Sequence, residues 1–112
     1  MLLTLLTYCY ATRLYGSADI EWAARNDATI RYICAHHFPD WHSLRRFRRN
    51  NRALLVETIG WVFKQAWSLK FDAGEADFAG YEWYESEFNQ LVEATAQDRI
   101  DLAALMDGVE NE

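Results

Sequence analysis

Apolar residues recur at three- and four-residue spacing along nearly the whole chain, and nowhere do they alternate in the two-residue rhythm of a half-buried strand. That periodicity commits the chain to helices whose apolar stripes must be buried against one another. Leu2, Leu5, Leu6, Cys9 and Tyr10 form the first stripe, which predicts a helix over 1–14 ended by Gly16 at positive φ. Ser17 is the expected N-cap of a second helix, with Asp19 and Glu21 in its first turn and Ile20, Trp22, Ala23 and Ala24 on its apolar side. Asp27 is placed to cap a third helix over 28–36, with Ile30, Ile33 and Cys34 turned inward. Phe38-Pro39-Asp40 is the clearest break, because proline disfavours helix at the residue before it and Asp40 can cap the next helix. That fourth helix starts at Trp41, with Leu44, Phe47, Asn51 and Leu55 on one stripe and a break expected near Asn50-Asn51. The segment 52–70 is amphipathic through Leu55, Ile59, Val62, Phe63, Ala66 and Trp67. After a loop at 71–75, residues 81–106 carry Phe88, Leu91, Val92, Ala96 and Ala103 at helical spacing, and 109–112 read as a tail. The expected fold is all-α, a compact bundle of five or six helices with a helix-turn-helix-like unit.

A length of 112 residues suits a single domain over 1–112. The 51% hydrophobic content is too rich for a disordered chain, and five glycines with one proline are too few for a turn-dense sandwich or barrel. Cys9 and Cys34 lie in apolar helical surroundings and read as reduced, buried thiols of a cytoplasmic protein rather than a disulfide framework. The apolar start, 1–11, is too short to span a bilayer, and it lacks the basic lead and cleavage site of a secretory signal. No membrane is therefore expected among the partners.

The formal net charge of −6 conceals a division. Residues 1–70 hold ten Lys or Arg and five Asp or Glu, a net +5, whereas residues 71–112 hold one Arg and twelve acids, a net −11. The first part carries the sharpest feature, Trp41-His42-Ser43-Leu44-Arg45-Arg46-Phe47-Arg48-Arg49-Asn50-Asn51-Arg52, with five arginines and no acid. Projected down a helix axis, Arg52, Arg45, Arg49 and His42 share one side, away from the stripe of Leu44, Phe47, Asn51 and Leu55. Arg46 lies just beyond His42, and Arg48 lies on the other flank, between Arg52 and Leu44. Arg45, Arg49 and Arg52, with His42, are thus expected to face DNA, and Arg46 and Arg48 to reach phosphates from the flanks. The planar donor fork of arginine pairs bidentately with phosphate or a guanine edge, and a cluster of such charges releases counterions on binding.

Four blocks of residues also resemble a known family. Leu2-Leu3-Thr4-Leu5-Leu6-Thr7-Tyr8-Cys9-Tyr10-Ala11-Thr12 looks like the opening helix of the InsH-like N-terminal domain of bacterial insertion-sequence transposases. Tyr15-Gly16-Ser17-Ala18-Asp19-Ile20-Glu21 resembles its turn and "S-x-x-I-E" signature, and Ile30-Arg31-Tyr32-Ile33-Cys34 is similar to its "FRYL" segment. Residues 38–49 resemble its "P-D-x-x-T-L-x-x-F-R-R" block. The resemblance covers about residues 1–70 and implies an all-helical domain that helps a transposase hold its terminal inverted repeats. In that family a separate RNase H-like domain carries a metal-binding Asp-Asp-Glu set. This chain starts at the first family helix, has too few residues after Lys70 for such a domain, and departs from the family pattern beyond Phe71. The expectation is a truncated or recruited, non-catalytic fragment whose partner is double-stranded DNA.

Other chemistry is not favoured. Cys34, His36, His37 and His42 have the wrong spacing for a structural zinc site, and the acids of 72–87 read as a wet helix face. No phosphate loop, nucleophile elbow or catalytic pairing stands out, so no cofactor, metal or small-molecule substrate is expected. The competing reading is a protein-interaction or homodimerisation module. In it the acidic C-terminal segment covers the basic helix, with Glu82, Glu85 or Glu93 paired to Arg45 or Arg49. Trp61, Trp67, Phe71, Phe78, Tyr81, Trp83, Tyr84 and Phe88 are expected to pack between the last two helices, and an exposed patch of them would instead mark a protein partner or a homodimer surface.

Overall fold

The computed structural model describes the backbone of residues 1–72 and 85–108, and the side chains of 1–66 and 87–108. The described residues form six helices and no strand: α1 (Leu2–Ala11), α2 (Ser17–Asn26), α3 (Ala28–Cys34), α4 (Trp41–Asn50), α5 (Arg52–Asp72) and α6 (Glu85–Met106). The all-α expectation holds. Residues 73–84, including Trp83 and the start expected at Tyr81 for the last helix, lie outside the described residues, as do 109–112.

α1 is the hub. Its buried Leu5, Leu6, Cys9 and Tyr10 face α3, α4, α5 and α6, so it is apolar over most of its circumference. α2 packs on α3 and α4, and α5 packs along α6. The α5–α6 pair is antiparallel: Arg52 lies beside Asp101 and Gly60 beside Val92. The shared core joins Leu5, Ile20, Leu44, Leu55, Ile59 and Ile100 from five helices.

Two capping signals act as the sequence implies. The Asp27 carboxylate accepts the Ile30 N–H at 3.0 Å, and the Asp40 carboxylate accepts the Ser43 N–H at 2.8 Å. Each satisfies an orphan donor of the first turn. The break at Asn50-Asn51 is also present, with Asn51 as C-cap donating from its side chain to the Phe47 carbonyl at 3.0 Å.

Other boundaries differ for identifiable reasons. α1 stops at Ala11, and Arg13, not Gly16, takes the left-handed conformation at φ 70°. The Leu14 N–H then reaches back to the Cys9 carbonyl at 2.8 Å, a Schellman closure that brings Leu14 against the core. Gly16, at φ −64°, serves instead as the N-cap of α2, and Ser17 becomes the first helical residue. α3 ends at Cys34 because Ala35 and His36 both turn left-handed, at φ 50° and 67°. This costs about 1–2 kcal/mol per residue for non-glycine side chains and redirects the chain into α4. Trp22, expected on the apolar side of α2, is exposed. Trp61, expected in the core between α5 and α6, is exposed as well.

Candidate nucleic-acid interface

α4 is fixed from both ends and from beneath. Asp40 caps its N-terminus, Asn51 closes its C-terminus, and Leu44 is fully buried below it. The opposite face turns Trp41, His42, Arg45, Arg46 and Arg49 around a shallow hollow of about 250 Å³. His42 stacks on Trp41 with ring centroids 3.5 Å apart, and the Arg45 guanidinium lies 5.2 Å from the Trp41 ring centroid. The second contact restricts rotamers that the long Arg45 side chain would otherwise sample. Arg45, Arg46 and Arg49 make no ion pair with a described residue. The nearest acid on this helix is the cap, Asp40. The Ser43 hydrogen bonds hold its carboxyl below the usual carboxylate range, with His42 and Arg46 adding to the effect. It therefore remains an acceptor committed to the helix end.

Arg48 requires a correction. Expected to reach phosphates from the flank, it is instead fully buried, and its Nη1 lies 2.6 Å from Asp107 Oδ2. The helical projection is consistent with this: at about 40° from Leu44, Arg48 falls at the edge of the apolar stripe, next to the buried side. The same carboxylate accepts the Ser17 N–H at 2.8 Å and the Ser17 hydroxyl at 2.6 Å. Asp107 thus sits on the N-terminus of α2, where the helix dipole favours an anion, while also neutralising a cation from α4. Burial raises its carboxyl, but the Ser17 hydrogen bonds and Arg48 outweigh that and hold it below its ordinary value.

Arg52 is diverted less strongly. Its Nη2 lies 2.7 Å from Asp101 Oδ1 in a surface pair that is partly open to solvent. Of the six residues assigned to DNA contact, the structure therefore groups His42, Arg45, Arg46 and Arg49, pairs Arg52 sideways with α6, and removes Arg48 to the interior. Trp41, which sequence reasoning uses only as a helix start, joins the group.

Comparison with protein-family models, curated proteins and solved structures finds no match.

Among the described residues, Asp101 of α6 and Asp107 just after it meet the basic part through Arg52 and Arg48. Glu93, one of the expected covers of Arg45 or Arg49, instead accepts a hydrogen bond from Gln97 on its own helix. Glu82 and the side chain of Glu85 lie outside the described residues. Burial pushes the Cys9 thiol up to about 12 and raises Cys34 as well, so neither is a reactive thiolate. No helix among the described residues is long and apolar enough to cross a membrane.

Proposed function

We propose that this chain is a non-catalytic DNA-binding domain of the cytoplasm that lays the outward face of α4 on duplex DNA. The observation that carries the reading is the grouping of Arg45, Arg46 and Arg49 with His42 and Trp41 on one outward face, with no ion pair to these arginines among the described residues. A major groove admits one α-helix, and this face presents its cations along the length of one. Arginine forks serve phosphates and guanine edges there. α3, the connector 35–40 and α4 follow one another in the order of a helix-turn-helix, although α4 packs mainly on α2, and the resemblance of residues 1–70 to a transposase N-terminal domain agrees with this use.

The test is a fluorescence-anisotropy titration on duplex DNA across a salt series. Wild type is expected to bind at about 50 mM salt and weaken steeply as salt rises. Arg45→Ala with Arg49→Ala is expected to weaken binding several-fold and make the log K against log salt slope shallower by about 2. Both side chains are outside the core, so helical content by circular dichroism stays unchanged. Absence of duplex binding by wild type at low salt overturns the proposal.

A further inference from the structure

α6 is apolar on two opposite sides. Its inward arc holds Val92, Ala96, Ile100 and Ala103, all buried. Projected down the helix axis, those four lie on the side opposite Asp98, whereas Leu91, Leu102 and Leu105 all fall within about 40° of Asp98. These three leucines are 63%, 42% and 67% exposed, and Met106 beside them is 66% exposed. Residues 91, 95, 98, 102 and 105 follow the alternating four–three spacing of a helix-pairing seam about 20 Å long. Leu102 and Leu105, with Asp98 and Asp101, frame a hollow of about 360 Å³.

The charge on this face selects its partner. Glu87 and Asp98 lie on it, Asp101 at its edge is already paired with Arg52, and the single cation of α6, Arg99, is turned away to donate to the Tyr10 carbonyl at 3.0 Å. Asp98 stands midway between Leu91 and Leu105. A second copy paired in register on this seam, parallel or antiparallel, therefore sets Asp98 against Asp98, and like charges in an apolar contact oppose association. An anionic membrane surface meets the same carboxylates and is disfavoured for the same reason.

We propose that the outward face of α6 docks an amphipathic helix of another protein that carries apolar side chains at four–three spacing and a lysine or arginine at its centre. The leucines supply contact area, and Asp98 supplies selection, as a polar residue within an apolar seam does. This face is separate from the basic face of α4, so the inference stands whether or not α4 binds DNA.

The probes are two labelled amphipathic peptides of about 20 residues, long enough to span the seam. They share leucines at that spacing and differ only in a central lysine or a central glutamate. Full-length chain is expected to bind the lysine peptide about tenfold more tightly than its twin by anisotropy. Asp98→Lys, an exposed change on an unbroken helix, is expected to reverse the preference, and Leu102→Gln with Leu105→Gln to abolish binding of both peptides. Equal binding of the two peptides, binding of neither, or a preference indifferent to Asp98→Lys overturns the proposal. So does a dimer in sedimentation that the two leucine changes dissociate, or retention on vesicles of anionic phospholipid.

Discussion

At the scale of single residues, Asp107 carries the most. One carboxylate accepts from Ser17 twice and holds the guanidinium of a fully buried arginine. Removing one partner of such a pair costs about 3–5 kcal/mol, because a charge remains in a low-dielectric setting. Asp107→Ala is therefore expected to lower stability by about 3 kcal/mol in urea unfolding. The double change Arg48→Met with Asp107→Asn is expected to regain most of that loss, since no charge is left behind and the amide oxygen still accepts from Ser17. The carboxyl titrates lower in the folded chain than in the unfolded one. Its contribution is thus complete above about pH 4, the unfolded value, and is lost as pH falls through the depressed folded value. Asp107→Asn should flatten the acid limb of stability measured against pH. The Cys9 thiol, pushed up to about 12 and fully buried, should resist iodoacetamide in the native protein and react rapidly once the chain is unfolded in urea. Reaction of native Cys9 at the unfolded rate would contradict this. The burial of Arg48 is open to inference from its helical position beside Leu44. The identity of its partner is not, because Asp107 lies 59 positions away and carries no local signature.

At the scale of elements, legibility follows locality. The caps at Asp27 and Asp40 and the break at Asn51 depend on side chains within four residues of the groups they satisfy, and all three are readable in the sequence. The end of α1 depends on Leu14 folding back to the core, a tertiary demand that overrides the preference of glycine for positive φ and places Arg13 there instead. The α5–α6 pair shows a related compromise at Gly60. A methyl group added there meets Val92 at 3.4 Å, an ordinary contact, while glycine inside a helix costs about 0.5–1 kcal/mol relative to alanine. Gly60→Ala should raise stability by about that amount, seen as a higher denaturation midpoint with an unchanged urea slope. A fall in the midpoint would mean that α5 and α6 cannot yield the last few tenths of an ångström. The candidate interface is legible as a helix and a charge type, because both are written in consecutive residues. Its membership is not, since Trp41 joins it and Arg48 and Arg52 leave it through contacts made by other helices.

At the scale of the molecule, the division of charge takes on a spatial meaning. Among the described residues, Asp101 of α6 and Asp107 just after it tie down arginines, Glu93 accepts from Gln97, and Glu87 and Asp98 remain on the outward face of α6. A chain with a net charge of −6 can therefore still offer a positive face, because local fields and not the mean steer an approaching polyanion. The Asp107 bridge also has a temporal side. Its links to Ser17 and Arg48 span 90 and 59 positions, so a chain emerging from the ribosome can complete α1 to α5 well before it owns the carboxylate that joins α2 to α4. Non-local closures of this kind slow the last stage of folding. The basic face is then among the last surfaces to acquire a fixed geometry, and a nascent chain halted before residue 107 would display the arginines without the framework that aims them.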